Sequence, residues 1–92
     1  MSIIPEFMIQ TAWKELDSDH ETARKAIKAL VHPELRSGSI KVMIETLNLT
    51  GWLEAKVKRL ITPEQLAEYE AIEGEAARWE WIRRKAIHWF PT

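Results

Sequence analysis

Apolar side chains recur along this chain at intervals of three and four residues, and strand-like alternation persists nowhere. That spacing belongs to helices with one buried face. It predicts an all-α fold, a compact bundle of four to five helices in one domain over residues 1–92. Pro5–Leu16 places Ile9, Ala12, Trp13 and Leu16 on one face, with Phe7 opposite. Met8 is a second candidate start, so residues 1–7 read as an upstream extension. Next, Ser18 and Glu21 have the spacing of a capping box. They open a helix that buries Ala23, Ala26, Ile27, Leu30 and Val31 and turns Arg24, Lys25 and Lys28 to water. His32-Pro33 ends it, because the residue before a proline is pushed out of the helical region.

After a loop at Arg36–Ser39, Ile40, Met43, Ile44 and Leu47 predict a third helix over Ile40–Leu47. Asn48–Gly51 reads as a tight connection with Thr50 as cap. A fourth helix, Gly51–Ile61, buries Leu53, Val57, Leu60 and Ile61. Thr62, Pro63 and Gln65 then carry the full signature of a helix start. One long helix follows to Trp89 and ends at Pro91. Its two apolar stripes are Leu66, Tyr69, Ile72, Ala76 and Trp79, Ile82, Ala86, Phe90, with a bend near Gly74 bringing both onto one core.

The net charge of −1 conceals a division. Residues 63–80 hold six glutamates against one arginine, whereas residues 81–92 hold three bases and no acid. Acids early and bases late complement a helix dipole, and the same division makes a bipolar surface. Three of the five tryptophans fall in Ala77–Phe90 beside Arg83, Arg84 and Lys85. At about 100° per residue, Trp79, Ile82, Ala86 and Phe90 point inward. Trp81, Lys85 and His88 point away, with Arg84 beside them and Trp89 at the boundary. A helix in a small bundle hides one broad stripe, and Trp and Arg dominate interface hot spots. Trp81, Arg84, Lys85, His88 and Trp89 are therefore the candidate partner-binding residues.

Catalytic and metal-binding patterns are missing. There is no cysteine, no glycine-rich phosphate loop, and no nucleophile elbow at Ser37 or Ser39. His20, His32 and His88 are scattered without ligand spacing. Asp17–Glu21 begins like a calcium loop, but Thr22 stands where the glycine belongs and Lys28 where the last glutamate belongs. No cofactor, metal or small-molecule substrate is expected. The absence of cysteines and of a membrane-length apolar run fits a cytoplasmic protein. The function that remains is non-enzymatic protein binding, as a small inhibitor or adaptor of the phage type that occupies a partner's surface. A homodimer through the same patch is compatible with it.

The segment Ile40–Ile61 supports an alternative. Its helix, short turn and helix, with Leu47–Thr50 at the turn, resembles the helix-turn-helix of DNA-binding regulators. The resemblance implies a recognition helix at Gly51–Ile61 presenting Trp52, Lys56 and Arg59, with Lys58 nearby, to nucleic acid. Glu54 occupies a place where that pattern expects a hydrophobic anchor. With Trp79 inside and Trp81 outside, Trp79→Ala is expected to cost roughly 3–5 kcal/mol in denaturant unfolding. Trp81→Ala is expected to leave the fold intact.

Overall fold

The computed structural model describes residues 4–90. Six α-helices occur among them: α1 (Glu6–Ser18), α2 (His20–Val31), α3 (Gly38–Thr46), α4 (Leu49–Leu60), α5 (Pro63–Glu70) and α6 (Glu75–Trp89). A single 3-10 turn, Pro33–Leu35, follows α2. The all-α architecture is as the periodicity predicted. Within the expected extension, Glu6 and Phe7 already belong to α1, while residues 1–3 lie outside the described residues. So does the expected stop at Pro91.

The helices form because their apolar stripes meet. Ala23, Ala26, Ile27, Ala29, Leu30 and Val31 of α2 are all buried, and Arg24, Lys25 and Lys28 face water. Leu49, Trp52, Leu53 and Val57 form the inward line of α4, and Ile82 and Ala86 that of α6. These three helices pack on one another; α1 and α3 close the sides against α2 and α4. The guanidinium of Arg83 on α6 reaches the carbonyl of Val31, the last residue of α2. Trp89 and Phe90 lie beside His20 and Ala23 at the other end of α2. The two helices therefore run antiparallel.

Several boundaries differ from the periodic reading, each for a local reason. Ser18 does not cap α2. It ends α1, where its hydroxyl donates back to the carbonyl of Glu15 at 2.9 Å. Asp19 is the first residue to leave helical geometry, and it takes the cap by accepting from the Thr22 amide and hydroxyl. Thr50 likewise lies inside the first turn of α4. The chain reverses earlier, at Asn48, whose φ of 49° lies in the left-handed region asparagine tolerates. Leu49 can then enter the helix fully buried. Leu60 follows the inward line of α4 but in its last turn, beyond the cover of its neighbours, and is 56% exposed.

No bend forms at Gly74: α5 already stops at Glu70, and Gly74 is the residue from which α6 starts anew. With φ 93° and ψ 137° it occupies backbone space that side chains disfavour, and the long helix becomes α5 and α6. Arg78 fastens the break by donating to the carbonyls of Ile72 at 2.8 Å and Glu70 at 3.1 Å. Ala76, expected inside, is exposed because the stripe is interrupted before it. Only Tyr69 of α5 is buried.

The fully covered indole is Trp52, at 2% exposure, whereas Trp79 is half-buried. The expected ranking of the two tryptophans changes accordingly. Trp52→Ala should lose roughly 3–5 kcal/mol in urea unfolding, the usual cost of truncating a core aromatic. Trp79→Ala should lose roughly 1–3 kcal/mol. Equal losses would contradict the packing described.

Candidate functional site

The outer face of α6 is partly as expected. Arg84 is open to solvent, with 76% of its side chain exposed and Glu80 at 3.7 Å. His88 is exposed, and Lys85 and Trp89 are half-buried. Trp81 does not stand opposite the core, as its spacing from Trp79 suggested. The inward line runs through Ile82 and Ala86, so Trp81 sits on the flank of α6. Its ring meets Tyr69 at 5.4 Å between centroids, tilted by 47°. Its Nε1 donates to Glu68 at 3.2 Å, and Lys85 Nζ lies 5.1 Å from the ring centroid. The indole is therefore half-buried, packed against Tyr69 with Lys85 over its ring. Arg83 takes no part in this face. It turns to Glu80 and to the carbonyl of Val31.

The candidate residues of α4 separate. Trp52, expected outside, is enclosed in the core, and its Nε1 donates to Asp17 Oδ1 at 2.9 Å. Lys56 bonds the same oxygen at 2.7 Å while lying over the Trp52 ring. Burial pushes the Asp17 carboxyl up, but the hydrogen bonds from Lys56 and Trp52 and the charges of Lys56 and Arg59 outweigh it. The group is held below its ordinary value. Lys58 pairs with Glu54 at 3.3 Å and lies 5.0 Å from the Tyr69 ring centroid. Arg59 is exposed. A shared outward face of Trp52, Lys56 and Arg59 therefore does not form.

Two junctions instead join α4 to α6. At one, Tyr69 of α5 receives Trp81 from α6 and Lys58 from α4, with Arg78 also over its ring at 5.7 Å. At the other, Lys56 and Trp89 line one cleft of about 590 Å³. Asp17, His20, Ala23, Arg24, Ile27 and Phe90 complete it. Each junction thus brings one residue of each candidate set together, Lys58 with Trp81 around Tyr69 and Lys56 with Trp89 in the cleft.

Sequence reasoning did not find Tyr69 as the link, because its helical spacing marks it as core and says nothing of what its ring edge touches. Nor did it find Asp17, His20 and Arg24 beside Trp89. No local signal could have, because at least 65 residues separate them from it. Among the described residues, no group of three or more His, Asp or Glu side chains is placed to hold a metal ion. No helix among them is long and apolar enough to cross a membrane. In comparisons with known proteins, no family model matches the chain, and no curated protein or solved structure matches it.

Tyr69 is the single tyrosine, so its state can be read directly. Burial, and next the Glu54 carboxylate, push its hydroxyl up to about 12, with Arg78 pulling the other way. Alkaline titration followed by tyrosinate absorbance should give a native midpoint near 12, falling to about 10 in denaturant. Because the folded value is the higher, its contribution to stability is complete below pH 10 and is lost as pH rises towards 12. A native midpoint near 10 would contradict the enclosure of the ring.

Proposed function

We propose that this chain is a non-enzymatic binding module that occupies the surface of an acidic partner protein, as a small inhibitor or adaptor. The observation that carries the reading is the joining of two aromatic and cationic faces along the α4–α6 seam through Tyr69. Accessible Trp, Tyr and Arg are the side chains from which interface hot spots are built. Opposite charge across an interface steers encounter and rejects wrong partners. On α4 and α6 the exposed Arg59, Arg84 and His88 and the half-buried Lys85 supply donors, and the half-buried Trp81 and Trp89 the apolar area.

A second reading, DNA binding through α3 and α4, is favoured by the left-handed Asn48 at their two-residue turn. A glycine commonly stands at that place in helix-turn-helix regulators. Set against it, Lys56 and Lys58 are engaged by Asp17 and Glu54. Trp52 could reach a base only by leaving the core.

The readings part under charge reversal. Arg59→Glu with Arg84→Glu alters two exposed side chains and should leave the helical circular dichroism and the unfolding midpoint nearly unchanged. Capture of the partner from cell lysate should nevertheless fall by about tenfold or more, a change of about 1.4 kcal/mol or more. Undiminished capture contradicts the assignment of the seam. Tight binding to mixed-sequence duplex DNA, with steep weakening as salt rises, would favour the DNA reading. The mass in solution shows whether the partner is a second copy of this chain.

A further inference from the structure

We infer that the cleft between α2, α4 and α6 receives a short acidic segment of the partner that carries a bulky apolar side chain as its anchor. This rests on the protein-binding reading above and names the chemistry that reading leaves open. The cleft is amphipathic in an ordered way. Ala23 and Ile27 of α2 are buried and make an apolar floor, and the half-buried Trp89 and Phe90 make an aromatic wall. His20 and Arg24, one turn apart on α2, stand exposed at the rim, and Lys56 faces them from α4. At about 590 Å³ the space falls within the roughly 300–1,000 Å³ of ordinary ligand sites.

The charge around this space is unbalanced. Asp17 is the one acid in the lining, and both Lys56 Nζ and Trp52 Nε1 already bond its Oδ1. It is fixed into the wall, and its charge is offset where it stands. Arg24 makes no ion pair among the described residues, and the exposed His20 one turn before it has the Asp19 carboxylate near it. The complement of an aromatic, apolar hollow rimmed by one unpaired cation, Arg24, and by the His20 ring is an apolar side chain with carboxylates on either side. Such a ligand inserts its anchor between Ile27 and the Trp89–Phe90 wall, while one of its acids pairs with Arg24 and another accepts a hydrogen bond from the His20 ring. Preorganisation favours binding here, since the buried Trp52 holds Asp17, and through it Lys56, in place before a ligand arrives.

The test uses the full chain and a set of fluorescein-labelled ten-residue peptides. Each has leucine, phenylalanine or tryptophan at its centre between runs of aspartate or glutamate; matched controls carry lysine instead. The expected result is saturable anisotropy binding of at least one acidic peptide at low salt, with no binding of its lysine counterpart. His20→Glu with Arg24→Glu, at exposed positions, should weaken it at least tenfold. Phe90→Ala should do the same while leaving the charge untouched. A Trp89→Phe variant should bind but lose most of the ligand-induced change in tryptophan emission.

The inference is overturned by no binding of any acidic peptide, or by equal binding of the lysine controls. It is also overturned if 3-phenylpropionate alone binds as tightly as the peptide, which would mark a small-molecule site. Loss of binding in Arg59→Glu/Arg84→Glu with full retention in His20→Glu/Arg24→Glu removes the ligand from the cleft yet leaves the seam as the docking surface. Charge-insensitive capture in the preceding experiment removes the protein-binding reading itself. The two failures are thus distinguishable.

Discussion

The bundle depends on one indole. Trp52 is the largest fully enclosed side chain, and its single N–H must find an acceptor within reach. It finds Asp17 in the last turn of α1, 35 residues away in sequence. That bond fastens α1 to α4. It also presents a carboxylate to Lys56 on the next turn of α4, so Lys56 folds back across the indole instead of reaching into solvent. One buried aromatic therefore ties α1 to α4, removes a cation from the outward face of α4, and holds Asp17 and Lys56 where they line the cleft.

The same economy recurs at the helix ends. A chain of 92 residues buries a modest share of its surface, and loose helix termini are a liability at that size. Here distant side chains close them. Arg36 and Arg83 donate to the last carbonyls of α2, at Ala29, Leu30 and Val31, and their positive charge suits the negative end of its dipole. Trp13 donates to Leu47 at the end of α3, and Arg78 closes α5 across the break at Gly74. With Trp81 on Glu68, three of the five tryptophans use their N–H to tie one helix to another. A high tryptophan content in so small a chain thus has a mechanical reason as well as an apolar one.

This sharing governs how the proposed surface works. Residues that grip the bundle and residues that face outward lie on the same helices. Trp81 belongs to both groups, with Tyr69 under one side of its ring and Lys85 near it. A surface braced in this way loses little side-chain freedom when a partner arrives, which favours affinity over adaptability. The weakly anchored α5, held at Tyr69, is the element whose displacement would disturb the seam most.

The sequence alone was enough for the helical class, for nearly all of the inward line of α2, for the capping box at Thr62 and Gln65, and for the basic–aromatic character of α6. These follow from periods and caps that act within a few residues of chain. The interrupted helix at Gly74 was half legible: glycine marked the place, but whether a helix bends or breaks depends on what the next turn can pack against. The core position of Trp52, the flanking one of Trp81, and the assembly of His20, Arg24, Lys56 and Trp89 around one cleft were decided by tertiary structure alone. Periodicity describes one helix at a time. Which of two possible faces becomes the inside is chosen by the neighbouring helix and by an acceptor such as Asp17, and neither is encoded in local spacing.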